Sequence, residues 1–225
     1  LGNQLNASGD SEEWVDVVYE LATCRLLAES VNPRHSNARI NKRARSILQK
    51  RHGIEEGLWG WKLPETMLIL PEVLDAFPEA RFVHLVRNPL DVCLRRTHVT
   101  SRWSNPVGRA LLDRAAVDLG LELREGVTPD HIANAASWEF QLSTVLPQLR
   151  SLDPARNLEV RYEDLLDRPQ ETVDRIAGFL GVDVVITSLE SSINPRRRRS
   201  WQTGDGRIDD VRAICKSADS LGYSI

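Results

Sequence analysis

Apolar residues recur every three or four positions over 13–31, at Trp14, Val17, Val18, Leu21, Ala22, Leu26 and Leu27, and this spacing predicts an amphipathic helix. A second, basic helix is predicted over 37–52, where Ile40, Ala44, Ile47 and Leu48 share one face among arginines and lysines. The pattern then changes. Residues 58–61, LWGW, are a short continuous apolar run that suits a buried strand, and Pro64 fits the first turn of a helix over 65–77. Residues 81–86, RFVHLV, read as a second strand covered on both faces. Asn88-Pro89 is a turn signal, and DVCLRRTHV continues as helix. Further along, the chain predicts a polar loop over 97–110, a helix over 130–150 around Ile132, Ala136, Phe140 and Leu146, and a third strand over 158–162. A helix over 170–180 should stop at Gly181, a polar Arg-rich loop should span 191–206, and a last short helix should cover about 208–221.

Strand, helix, strand and helix alternate over 58–100. That order predicts an α/β architecture with a central, mainly parallel sheet between layers of helices, its strands at 58–61, 81–86 and 158–161 neighbours or near neighbours. With 225 residues and no internal repeat, one domain over 1–225 is expected. Lys plus Arg number 29 and Asp plus Glu 32, so the chain is slightly acidic, which argues against a general nucleic-acid coat. Hydrophobic residues make up 41% of the chain and charged ones 27%, which suits a packed globule and not a disordered segment. No apolar run reaches the roughly 18 residues that span a bilayer, so no stable membrane insertion is expected. Cys24, Cys93 and Cys215 are far apart, form no CxxC and share no zinc spacing with histidine. A reducing, cytoplasmic compartment and no metal follow as expectations.

Candidate chemistry concentrates in RFVHLVRNPLDVCLRR. Arg87 falls at the carboxyl end of a strand, the edge where open α/β sheets bind ligands. A helix start just after it offers free N–H groups to an anion, and a guanidinium grips phosphate with two prongs. Arg95, eight residues on, can lie beside the same anion. On pattern alone these arginines suit equally well a solvated helix face paired with Asp91.

The segment WGWKLPETMLILPEVLDAFPEARFVHLVRNPLDVCL resembles the central part of sulfotransferases that use 3′-phosphoadenosine 5′-phosphosulfate. That family has a Lys-x-Pro stretch, a Phe-Pro-x-Ala-Arg/Lys-Phe strand entry and an Arg-Asp/Asn-Pro-x-Asp turn. The order continues here with Trp138, Tyr162-Glu163-Asp164-Leu165, Phe179-Leu180-Gly181, Arg199-Ser200-Trp201 and a final Leu221-Gly222-Tyr223. The resemblance covers about 59–223. It implies a P-loop-NTPase-like fold, and an enzyme that moves a sulfuryl group by in-line displacement from the nucleotide donor to a hydroxyl or amine, leaving 3′-phosphoadenosine 5′-phosphate. Two departures stand out. The family usually has Ser eight residues after the motif Arg, where this chain has Arg95. The family's phosphosulfate loop, Gly/Pro-Arg/Lys-Ser-Gly-Thr, has no match, so the first strand, loop and helix of the domain are expected upstream of Leu1.

The resemblance also implies roles. Lys62 would neutralise charge on the leaving phosphate oxygen, although by itself it suits a surface lysine. Asp10 is the first choice for the base that takes the acceptor's proton, and equally suits a helix cap. Arg87 and Arg95 would hold the 3′-phosphate and Tyr162 would lie against the adenine. Arg198 and Arg199, with Trp201 nearby, would close a C-terminal loop over the donor. His98, Arg102 and Trp103 are candidates for the acceptor side. The acceptor class stays open among small metabolites, glycans and lipids; no nucleic-acid partner is expected, and the oligomeric state is not legible. Two other readings remain at this point: a kinase-like phosphotransferase, and a non-catalytic module holding a polyanion in the run Arg196 to Arg199. The first would place a metal-binding acid after VHLV, where Arg87 stands. The second fits poorly with the acidic net charge.

Overall fold

Parallel pairing of two short strands organises the protein around one edge. The computed structural model describes residues 62, 64–95, 98–183 and 204–225. The helices predicted over 13–31 and 37–52, the strand at 58–61 and the loop at 191–206 lie outside or largely outside these residues, as do Asp10, Arg198 and Arg199. Strand β1 (Phe82–Val86) and strand β2 (Asn157–Arg161) run parallel, with Phe82 opposite Asn157 and Val86 opposite Arg161. In β1 burial alternates: His84 and Val86 face the core, while Val83 and Leu85 are 36% and 49% exposed. The sequence suggested a strand covered on both faces. The pleat separates the two sets of side chains instead.

Pro64–Ile69 forms a 3-10 turn that continues as helix α1 (Leu70–Ala76). A single helix was expected over 65–77. Pro71 has no N–H to return to the carbonyl four residues back, so the α-helical ladder can begin only beyond it. Helix α2 (Pro89–Cys93) follows β1 directly, with the Asn88 side chain accepting from the Leu90 N–H as its cap. A 3-10 turn at Val99–Ser101 leads to helix α3 (Pro106–Leu119), which the sequence reading left partly as loop. Asn105 caps α3 through the N–H groups of Val107 and Gly108, and Gly120 ends it in the left-handed region at φ 63°.

Helix α4 (Asp130–Arg150) is the spine. One stretch of it, Ala133, Ala136 and Phe140, packs against Leu68, Ile69, Val73, Leu111 and Leu112. A later stretch, Leu142, Val145, Leu146 and Leu149, meets Val86, Leu221 and Tyr223. Ala135 faces Leu90, Val211 and Cys215. A helix touching three clusters is buried nearly all round, and its polar residues Asn134, Ser137, Glu139 and Gln141 are buried with it. Each has partners, as buried polar groups require.

After β2 come α5 (Tyr162–Asp167) and α6 (Pro169–Leu180), the latter ended by Gly181 at φ 72°, as its position in the sequence indicated. The C-terminal segment is two helices, α7 (Arg207–Ile214) and α8 (Ser217–Ser220), where one was expected. Glu139 explains the second start: its carboxylate accepts from both the N–H and the hydroxyl of Ser217 at 2.8 and 2.9 Å, fixing a new helix origin from outside. Among the described residues no helix is long and apolar enough to cross a membrane.

Candidate functional site at the carboxyl edge of the sheet

The ladder ends at Val86 and Arg161, so the next residues leave the two strands side by side. Arg87 emerges next to Tyr162, with its guanidinium carbon 4.5 Å from the ring centroid. Such a stack holds a cation while leaving its in-plane donors available to an anion. The same Arg87 lies 3.7 Å from the Asp91 carboxylate, one helical turn on, and its side chain is 21% exposed. Both readings of Arg87 made from the sequence therefore coexist: it pairs with Asp91, and it stands at the sheet's carboxyl edge.

Helix α2 has only five residues. Arg95 was expected two turns down this helix; it lies instead in the bend beyond it. The bend is pinned from α4. The Asn134 amide donates to the Cys93 carbonyl at 3.0 Å and more loosely to that of Arg95 at 3.4 Å. Its oxygen accepts from the Ser101 hydroxyl, which in turn accepts from the His98 N–H at 3.0 Å. Ser137 donates to the Thr100 carbonyl at 3.0 Å. The charges of three arginines act on one imidazole here. His98 titrates below the ordinary histidine range, first because it is partly buried and then because Arg102, Arg87 and Arg95 all oppose a further positive charge.

The residues singled out in the sequence thus divide. Arg87, Tyr162, Arg95, His98 and Arg102 come together around one corner. Trp103 is half-buried and packs on the cluster built by α1, α3 and α4. Lys62 is exposed, two residues before the 3-10 turn. His84, read from the sequence as a core histidine, is 7% exposed, with Nδ1 4.0 Å from a Glu159 oxygen. Burial outweighs that carboxylate, and with the charge of Arg150 brings the His84 pKa down to about 4. Cys93 and Cys215 are buried free thiols; their mutual hydrogen bond and burial push the Cys215 thiol far up, so it is an inert packing group. Among the described residues no cluster of His, Cys, Asp and Glu could hold a metal ion.

Sequence reasoning missed Glu163 and Tyr223 as members of this corner. Glu163 accepts from the Asn88 N–H at 2.9 Å and from the Tyr223 hydroxyl at 2.8 Å. Tyr223 carries the Arg161 guanidinium 4.2 Å above its ring. The signal that could have found Glu163 is its matching position with Asn88, each two residues past the paired Val86 and Arg161.

Three comparisons with known proteins bear on the family and the fold. A family model described as "Sulfotransferase family" matches residues 3–185. "Nodulation protein NoeE" of Sinorhizobium fredii (strain NBRC 101917 / NGR234) is 29% identical over 157 residues, 68% of this chain and 35% of that protein. The chain therefore spans about a third of that relative's length. Among solved structures, "Sulfotransferase Domain from the Curacin Biosynthetic Pathway" superposes with a TM-score of 0.55 at 19% identity, covering 99% of this chain and 82% of the other. "Sulfotransferase Domain from the Synechococcus PCC 7002 Olefin Synthase" gives 0.54 at 19% identity, covering 99% and 79%. At such identities the likeness is one of fold: α/β, with helices packed around a parallel sheet.

Proposed function

The chain belongs to the sulfotransferase family, and we propose that it takes its sulfuryl group from 3′-phosphoadenosine 5′-phosphosulfate and passes it to a hydroxyl or amine by in-line displacement. The observation that carries this reading is the corner at the sheet's carboxyl edge, where Arg87 stacks on Tyr162 and the charges of Arg102, Arg87 and Arg95 all act on His98. Three cations beside an aromatic face fit a nucleotide that carries a phosphate on its ribose, by the chemistry of the donor set. Arg87 and Arg95 would hold the 3′-phosphate, and Tyr162 would lie along the adenine. When bound, this donor supplies the sulfuryl group and a phosphate as leaving group.

The chain's own residues have the remaining work. Lys62 would place a compact positive charge where the leaving oxygen becomes negative. Burial first, and then its cationic neighbours, lower the His98 pKa and so favour its neutral ring, which would accept a hydrogen bond from an acceptor hydroxyl. Asp10 would serve as base, Arg198 and Arg199 would cover the donor from the loop at 191–206, and Arg102 with Trp103 would line the acceptor side. Residues 1–225 would form one domain. Acceptors of small-molecule, glycan or lipid type fit equally.

Titration of the full-length protein with 3′-phosphoadenosine 5′-phosphate tests the donor, and labelled donor with an acceptor panel tests the transfer. In the same assay Lys62→Ala should lower kcat by roughly 10²–10³-fold with little change in donor affinity. An unchanged kcat with a raised donor KM would reduce Lys62 to a phosphate anchor. Failure of the nucleotide to bind would overturn the donor assignment.

A further inference from the structure

Glu163 joins three segments distant in the chain. It follows β2, yet one carboxylate oxygen accepts the main-chain N–H of Asn88, 75 residues earlier, and the other accepts the hydroxyl of Tyr223, 60 residues later. The Asn88 side chain is already committed to capping α2. Its main-chain N–H donates to Glu163. Tyr223 is 2% exposed, with its ring between the C-terminal core and the Arg161 guanidinium. Burial, and then the Glu163 carboxylate, raise its phenol far above the ordinary range, so the hydroxyl keeps its proton and donates at every working pH.

Asn88 is the residue after Arg87. Whatever fixes its main chain fixes the direction in which Arg87 leaves β1, and a shift of an ångström in a guanidinium is enough to lose a two-pronged contact. We propose that Glu163, held by Tyr223, is a positioning residue for the anion corner: it aims Arg87 by locking the Asn88 peptide. The inference rests on the reading above that Arg87 binds the 3′-phosphate. Glu163 itself does not meet the anion. Both of its oxygens are occupied, and its negative charge would repel a phosphate.

Calorimetric titration of the full-length protein with adenosine 3′,5′-bisphosphate and adenosine 5′-monophosphate separates aiming from general stability. Wild type should prefer the bisphosphate. Glu163→Ala should cut that preference roughly tenfold, the worth of a hydrogen bond to a charged group, while monophosphate affinity changes less than about threefold. Glu163→Gln should keep most of the preference, because an amide can still accept from Asn88 and donate to Tyr223. Tyr223→Phe should lose about threefold through one hydroxyl, and it serves as the decisive variant if Glu163→Ala does not fold. Equal weakening of both nucleotides by Glu163→Ala, or a preference untouched by it and by Tyr223→Phe, would overturn the clamp and leave Arg87 assigned. A wild-type protein without preference for the bisphosphate would overturn the assignment of Arg87 itself, and the clamp with it.

Discussion

Two arginine–tyrosine stacks stand a few residues apart and do different things. Arg161 lies 4.2 Å over Tyr223, and Arg87 lies 4.5 Å over Tyr162. The chemistry is the same; the surroundings are not. Tyr223 is closed in the core, its hydroxyl spent on Glu163, and the pair joins the C-terminus to the sheet. Tyr162 is only half-buried, and its arginine pairs with Asp91 and acts on His98 together with Arg102 and Arg95. A stack sealed on all sides fastens the fold. A stack at the carboxyl edge of the sheet, paired with Asp91 and near other guanidiniums, stands where an anion would add to its partners.

Substitutions can break this contrast. Tyr223→Ala should show the largest effect, a loss of about 3–5 kcal/mol of stability through the cavity left beside Leu146 and Leu221, read by denaturant unfolding. Arg87→Ala should leave unfolding nearly unchanged and weaken 3′-phosphoadenosine 5′-phosphate by about 2–4 kcal/mol, read by titration. If the two variants exchange these signatures, the contrast fails. His84 marks the closed side of the same sheet. It charges near pH 6.5 when unfolded but only near pH 4 when folded, so the unfolded chain binds more protons between those values and stability falls as pH drops. The loss should be about 2 kcal/mol between pH 7 and 5, and His84→Gln should remove that part of the acid dependence. The smallest effect belongs to the open side: in NMR titration the His98 pKa should lie below the usual histidine value in the free protein and rise when the bisphosphate binds. A pKa indifferent to the nucleotide would place the anion away from the three arginines.

Much of the fold was legible because local patterns carried it. The helix over 130–150, both strands of the parallel pair and the stop at Gly181 each follow from period and end signals. Helix α3 was obscured by its own beginning. Asn105-Pro106 reads as a loop, yet it repeats the cap-then-proline start of Asn88-Pro89, with Pro in the first turn where its missing N–H costs nothing. The break between α7 and α8 was hidden for another reason: its cause, Glu139, lies 78 residues away. In the site, Arg87 and Tyr162 were legible as strand-end residues, whereas Glu163 resembled a first-turn acid. Its two partners come from other parts of the chain, and no local spacing records such a bond.

The anchoring of the bend by Asn134 and Ser137 has a consequence for diversification. Hydrogen bonds from α4 reach the carbonyls of Cys93, Arg95 and Thr100, and the hydroxyls of Ser101 and Thr100 add side-chain contacts to the same two anchors. On the reading proposed above, substitutions at His98 would alter recognition of the acceptor while these main-chain bonds keep the borders of the bend in place.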